Sequence, residues 1–246
     1  MAEVFLNGVR IGEHRGSYAA FAFDLTDAVQ PGKPNVLRVK VDNRARKDVL
    51  PVNDYLFTIF GGLYRPAKLL VLDPVHFSAT DHGWSGIALA QAALDDAHGL
   101  LDVRATLRNA GDRTANAEYR VNIRDAARAV VASEVVTVAL APGATRPTTL
   151  RLNVPHPHRW NGIPDPYLYT VEAELRCGDS SDAVTERWGF RTCEVDPRRG
   201  FILNGRPYLL HGVCRHQERQ DKGNALSEED HHADMELVRE IGRAHV

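Results

Sequence analysis

The chain has 246 residues, 43% of them hydrophobic and 25% charged, which is the composition of an ordinary globular protein with one to three domains. Thirty Lys and Arg side chains stand against 32 Asp and Glu side chains, so the formal charge is only -2. Without a basic excess there is no field to attract polyanions, and no apolar run reaches the roughly 20 residues of a membrane span. We therefore expect no nucleic-acid partner and no membrane partner.

Cysteine usage constrains the cellular compartment only weakly. Cys177, Cys193 and Cys214 show neither the spacing of a zinc ribbon nor that of a disulfide framework. Three unpaired thiols favour the cytoplasm, but one disulfide and a free thiol fit the count equally, so the compartment stays open.

Residues 1–73 show the short apolar runs and the Gly, Pro, Asn and Asp turns of a β-rich domain. Asn7-Gly8 between two such runs predicts a hairpin, because both turn positions need a positive φ, which Asn and Gly tolerate. Alternating apolar and polar side chains predict two further half-buried antiparallel strands, over Phe21–Leu25 and Val36–Val41. A new set of strands follows Pro74, where we place the first domain boundary.

Residues 74–193 carry about seven predicted strands, a number and spacing typical of an immunoglobulin-like sandwich. The clearest strand patterns lie at Ile87–Ala90, Leu100–Leu107, Tyr119–Ile123, Thr148–Leu152 and Tyr169–Leu175.

The pattern changes in the last part of the chain. Phe201–Leu203 and Tyr208–Leu210 are predicted to form a hairpin around Asn204-Gly205. The segment that follows, His211–Arg219, is the most densely polar of the chain, and α/β barrels carry their active-site loops at such a strand end.

A helix is predicted over Ser227–Ile241. Asp230 stands three residues after Ser227, as in a capping box, and Gly242 is the predicted helix stop. The acidic residues of the first turn favour the positive end of the helix dipole, so we interpret them as structural. A single apolar stripe makes the helix amphipathic. It consists of Leu237, Val238 and Ile241.

Two kinds of local chemistry find little support in these residues. Cys214 and His216 share a face of an extended segment, but no third group orients them, so we interpret Cys214 as a buried thiol and not as a nucleophile. The histidines form no helical His-x-x-x-His pair, and the adjacent His231 and His232 diverge around the helix. We therefore predict a solvated histidine pair and no metal site.

Three stretches of the chain, taken in order, carry a family resemblance. The first comprises Val4–Gly8, Phe21–Thr26, Val39–Asn43 and Phe60–Arg65. The second comprises Pro157–Trp160, Pro166–Val171 and Trp188–Arg191. The third comprises Phe201–Pro207, Gly212–His216 and the helix over 230–242. Together they resemble glycoside hydrolase family 2, the β-galactosidase and β-glucuronidase family, over nearly the whole chain.

The resemblance implies a mainly β fold in three parts. Residues 1–73 would form a partial jelly-roll β-sandwich, residues 74–193 an immunoglobulin-like β-sandwich, and residues 194–246 the first βα portion of a TIM barrel. The family's jelly roll has earlier strands, and a whole barrel takes about 250 residues, so we expect a chain truncated at both ends.

The resemblance also implies site residues. His216 matches a histidine that faces the sugar and stabilises the transition state through hydroxyl contacts, with a structural hydrogen bond as the alternative role. Asp54 lies in a loop from which relatives extend a carboxylate toward the sugar, although its spacing to Gly62 differs, and a turn-stabilising role is equally open. Arg215 and Gln217 flank His216 and would support it, Arg215 through pairing in the barrel base.

No catalytic residue is predicted in this chain. Family members carry the acid/base glutamate in an Asn-Glu dipeptide, which is absent from the sequence, and the nucleophilic glutamate lies further on. No cofactor and no metal are predicted either. The leading hypothesis is a fragment of a retaining exo-β-glycosidase that acts on terminal β-galactosides and is inactive alone.

The alternative is a non-catalytic carbohydrate-binding or interaction module, for which the aromatic content of 7% offers few stacking rings. A carbohydrate substrate is the expected partner in the first case. An unpartnered helix stripe also predicts homo-oligomers formed through exposed apolar surface.

Overall fold

The computed structural model describes residues 1–16, 18–44, 46–49, 60–81 and 83–244, which belong to two compact units. Unit 1 takes its residues from 1–19, 23–69 and 211–246. Unit 2 takes its residues from 20–22 and 70–210.

Unit 1 contains a three-stranded antiparallel sheet with the order β2-β1-β3. Its strands are β1 (Ala2–Leu6), β2 (Val9–His14) and β3 (Leu37–Val41). Every second side chain of the central strand β1 is buried, which gives this sheet its apolar face.

The hairpin predicted at Asn7-Gly8 is confirmed, since β1 and β2 pair across it and its two turn residues have φ angles of 52° and 86°. The Asn7 side chain also anchors the turn to a neighbouring segment. Its Nδ2 donates to the carbonyl oxygen of Ala28 at 3.0 Å, and its Oδ1 accepts from the amide of Val36 at 2.9 Å.

The prediction of a strand over Phe21–Leu25 is wrong, because the backbone of these residues is irregular. The carboxylate of Asp24 accepts hydrogen bonds from the amide and the hydroxyl of Thr26, at 2.9 and 2.6 Å, and this side-chain turn bends the backbone away from an extended path. Phe23 contributes by packing: its ring lies so close to Gly12 that a Cβ there would be 2.5 Å from it.

Unit 2 is built around a sandwich of two antiparallel sheets, as the sequence predicts. One sheet has the order β11-β10-β7-β8, and in the other β6 pairs with β9 on one edge and with both β4 and β5 on the other. The strands are β4 (Val75–Phe77), β5 (Ile87–Leu94), β6 (His98–Asn109), β7 (Ala115–Arg124), β8 (Val130–Leu140), β9 (Thr145–Pro155), β10 (Tyr169–Cys177) and β11 (Ser180–Trp188).

The core of the sandwich lies between β6 and β7, whose alternate side chains are buried. Leu101 and Val103 on β6 and Tyr119 and Val121 on β7 are fully buried. The Tyr119 hydroxyl donates to the carbonyl oxygen of Val103 at 3.2 Å, which satisfies the polar end of this aromatic side chain. Burial raises the pKa of Tyr119, so the hydroxyl keeps the proton that it donates.

A small sheet of β12 (Cys193–Asp196), β13 (Gly200–Leu203) and β14 (Arg206–Pro207) follows the sandwich. The Asn204-Gly205 turn between β13 and β14 is confirmed by φ angles of 50° and 78°. The expected second strand over Tyr208–Leu210 is wrong, since β14 ends at Pro207. A β-strand needs a hydrogen-bonded neighbour, and among the described residues the bonding to β13 ends at Tyr208, whose amide donates to the carbonyl oxygen of Phe201 at 2.9 Å.

The predicted helix is present in unit 1 as α1 (Glu228–Ala244). Gly242 does not end it, so the predicted stop is wrong; a glycine lowers helix propensity by about 1 kcal/mol but breaks a helix only where the backbone turns left-handed. Leu237 and Ile241 of the apolar stripe are exposed, at 58% and 55%. No helix in the described part of the chain is long and apolar enough to cross a bilayer.

Candidate functional site

The polar segment His211–Arg219 has irregular backbone and ends in a tight turn closed by Arg219 and Gly223. The side chain of His216 is exposed. Cys214 is exposed as well, with a free thiol, so the expectation of a buried thiol is wrong. The reason is that no strand forms here to turn the Cys214 side chain into a core.

Arg215 is anchored to helix α1. Its Nε donates to Oδ2 of Asp234 at 2.8 Å, and its Nη2 makes a second, shorter bond to the same oxygen. Both side chains are largely buried, with about a fifth of each exposed (23% and 22%). The guanidinium groups of Arg219 and, next, Arg215 hold the pKa of Asp234 below its usual value. Arg215 is therefore paired with Asp234, and its predicted supporting role beside His216 in the barrel base stays a prediction.

Asp230 organises the start of α1. The amide of Ser227 donates to Oδ2 of Asp230 at 2.8 Å, and the amide of Asp230 donates back to the Ser227 hydroxyl at 3.3 Å, so the predicted capping box is confirmed. Lys222 and Arg219 also donate to the Asp230 carboxylate, at 2.8 and 2.9 Å. Lys222 is the main cause of the lowered pKa of Asp230.

Gln217 is held by Arg65, a residue 152 positions earlier in the chain. Nη2 of Arg65 donates to Oε1 of Gln217 at 3.3 Å, and Nη1 of Arg65 lies 3.4 Å from Nε2 of His231. Asp54, the other predicted sugar-contacting residue, lies outside the described residues.

The two adjacent histidines differ in their surroundings. His231 is half-buried, with Nδ1 3.1 Å from Nη2 of Arg215, so the interpretation of a solvated pair is wrong for it. His232 is exposed and lies 3.9 Å from Glu228. Within the described ranges, no group of three or more His, Cys, Asp or Glu side chains could hold a metal ion.

Sequence reasoning missed Arg65, His231 and Asp234 as members of this site. Arg65 ends a segment that carries the family resemblance, but nothing local indicates its distant partner. Asp234 follows Asp230 by four residues, a spacing that places both carboxylates on one face of the helix. This spacing could have predicted that both pair with the arginines of the polar segment.

Chemically, the site presents an exposed imidazole on a segment whose neighbouring side chains are fixed by charged hydrogen bonds. Such a group can donate to or accept from a ligand hydroxyl. Neither a nucleophile nor an acid/base pair is assembled among these described side chains. The chemistry that these side chains offer is hydrogen bonding to a polar group.

The chain matches two parts of one family. Residues 87–191 match Glycosyl hydrolases family 2, and residues 195–245 match the TIM barrel domain of Glycosyl hydrolases family 2. The sandwich and the part of the chain that follows it thus match, in order, two domain models of the same family. The chain belongs to glycosyl hydrolases family 2.

Several relatives are similar over almost the whole chain. A beta-glucuronidase of Bacteroides fragilis is 39% identical, covering 98% of this chain and 34% of that protein. A beta-galactosidase of Bacteroides ovatus is 31% identical, covering 98% of this chain and 27% of that protein. The crystal structure of a Bacteroides uniformis beta-glucuronidase superposes with a TM-score of 0.90 at 32% identity, covering 98% of this chain and 29% of that one. The chain spans about a third of the length of such relatives.

Proposed function

We propose that this chain is part of a retaining exo-β-glycosidase and contributes His216 to its sugar-binding site. The two glutamates that cleave the glycosidic bond lie elsewhere in the full enzyme. The observation that carries the proposal is the exposed imidazole of His216, flanked by anchored Arg215 and Gln217 in the part that matches the family's barrel. The chain alone is inactive, because it has no Asn-Glu dipeptide to supply the acid/base glutamate.

Two terminal sugars are proposed as substrates. β-Galactosides are the substrate class of the sequence-based hypothesis, and a 31% identical relative is named beta-galactosidase. β-Glucuronides are favoured by the higher identity, 39%, to a relative named beta-glucuronidase. Both reactions follow the same double displacement, in which His216 contacts sugar hydroxyls and contributes by binding the distorted ring more tightly than the ground state.

The experiment is a hybrid enzyme in which residues 1–246 replace the matching third of the Bacteroides fragilis beta-glucuronidase. We expect the 246-residue chain alone to release no nitrophenol from 4-nitrophenyl β-galactoside or β-glucuronide, and the hybrid to be active on one of them. His216→Ala in the hybrid should lower kcat by about 100-fold to 1,000-fold, as expected when one transition-state donor is lost.

His232→Ala is the matched control, because His232 is an exposed histidine of the same unit. A hybrid that folds, as judged by circular dichroism, but loses no more activity with His216→Ala than with His232→Ala would refute the role of His216. Appreciable hydrolysis by the chain alone would refute its predicted inactivity.

Two further expectations stay predictions. They are the domain boundaries after residues 73 and 193 and self-association through the exposed face of α1. Sedimentation velocity tests the self-association.

A further inference from the structure

His216 stands between two side chains that are tied to distant parts of unit 1. We infer that Arg65 is a positioning residue for His216. Arg65 holds Gln217, the residue after His216, and Asp234 of α1 holds Arg215, the residue before it. The effect on catalysis rests on the proposed function. The restraint on the segment, which we call the tether, does not rest on it.

The first tether is the ion pair of Arg215 with Asp234. It joins the residue before His216 to the middle of helix α1 through two hydrogen bonds to one carboxylate oxygen. Charge-assisted bonds of this kind are about twice as strong as neutral ones, and each of the two side chains is only partly exposed to water. This ion pair therefore restrains the position of residue 215 relative to helix α1.

The second tether begins at Arg65, which lies beside His231. Guanidinium groups approach both ring nitrogens of His231, Arg215 at 3.1 Å from Nδ1 and Arg65 at 3.4 Å from Nε2. A guanidinium carries five N–H donors, so Arg65 can lie against His231 with Nη1 and still donate a hydrogen bond from Nη2.

Nη2 of Arg65 donates to Oε1 of Gln217 at 3.3 Å, a hydrogen bond between two exposed side chains. Gln217 can accept this bond while its own amide group stays available as a donor. Arg215 lies against His231, and Gln217 is bonded to Arg65, which lies against the same histidine. His216 stands between Arg215 and Gln217 in the chain and is exposed. A tether on each side leaves the imidazole little freedom to shift, and a misplacement of about 1 Å can cost 100-fold in rate.

The tether is tested on the 246-residue chain by limited trypsin digestion. Cleavage after Arg215 requires its side chain to leave Asp234 and its backbone to enter the protease, so the initial rate reports local opening. Arg65→Ala should raise that rate about 2-fold to 5-fold, the effect of losing one solvent-exposed hydrogen bond. Arg239→Ala is the matched control, since Arg239 is an exposed arginine of unit 1 that pairs with Glu236. An unchanged rate with Arg65→Ala overturns the inference.

The consequence for catalysis is tested in the hybrid enzyme. Arg65→Ala should lower kcat and kcat/KM alike by about 10-fold, because orientation is lost in the transition state and ground-state binding is retained. Gln217→Ala should act through the same bond, so the double variant should be no worse than either single one. A purely structural role would instead lower the melting temperature and the yield without moving kcat, and additive effects would also overturn the inference.

The two levels can fail separately. A hybrid that folds and is inactive on both glycosides refutes the proposed function, and the trypsin rates on the chain still decide whether Arg65 holds the segment. Activity with unchanged kcat in Arg65→Ala refutes the positioning role alone.

Discussion

Asn204 is the residue whose replacement should most clearly separate side-chain hydrogen bonding from backbone strain in unit 2. It occupies the first turn position between β13 and β14 with a φ of 50°. Its Oδ1 accepts from the amide of Thr192 at 2.9 Å, and its Nδ2 donates to the carbonyl oxygen of Trp160 at 3.0 Å. One half-buried amide thus links the turn to two other loops of the unit.

The cost of Asn204→Ala can be worked from these contacts. Three groups lose a partner at about 1 kcal/mol each: the Thr192 amide, the Trp160 carbonyl and Oδ1 of Asn161, which accepts from Nδ2 of Asn204 at 2.6 Å. Alanine in the left-handed region adds about 1 kcal/mol. A total of about 4 kcal/mol should lower the melting temperature of a unit of this size by about 8 to 16 °C.

The assay is thermal unfolding of the 246-residue chain followed by tryptophan fluorescence, since Trp160 lies beside the affected loop. Arg128→Ala is the control: Arg128 also has a positive φ, 67°, but its side chain is exposed. We expect a small change in melting temperature for Arg128→Ala and a large one for Asn204→Ala. Equal shifts for the two variants would show that the amide bonds of Asn204 do not hold the turn.

Three further results are expected. Tyr119→Phe should lower stability in urea unfolding by about 1 kcal/mol, because it removes one buried hydrogen bond and keeps the ring; no change would show that the hydroxyl contributes nothing. Gly162→Ala should cost at least about 1 kcal/mol more than Gly178→Ala in the same assay, since both glycines have positive φ but only a Cβ at Gly162 would meet Tyr208, at 2.3 Å from its hydroxyl. The lowered pKa of Asp230 means that its contribution is present above the unfolded pKa of about 4 and is lost as the pH falls toward the folded value, so ellipticity at 222 nm should fall in acid below about pH 4. Asp230→Asn should flatten that acid transition, and an identical transition in both proteins would contradict the assignment.

The candidate site was only partly accessible from sequence, and its residues show why. The segment with Arg215, His216 and Gln217 is a dense polar run and could be identified directly. Its tethers could not, because the bond between Arg65 and Gln217 joins residues 152 positions apart and depends on how the chain folds back. The exposure of Cys214 was misjudged for the same reason: burial depends on whether a neighbouring strand exists.

The features that could be predicted correctly from sequence are local ones. The two Asn-Gly turns require positive φ at adjacent residues, the capping box joins Ser227 to Asp230 three residues away, and the period of two marks the strands that face a core. These features depend on backbone sterics and on bonds within one turn.

Strand partners and edges were decided by the tertiary structure. The mostly polar β11 forms an edge strand because β10 offers it a full ladder, whereas the apolar run Tyr208–Leu210 continues the bonding of β14 only at Tyr208 and is otherwise irregular in the described structure. Likewise, Phe21–Leu25 alternates as a strand would but follows the Asp24 turn. Hydrogen bonding between strands and burial are properties of pairs of distant segments, so only the folded chain fixes them.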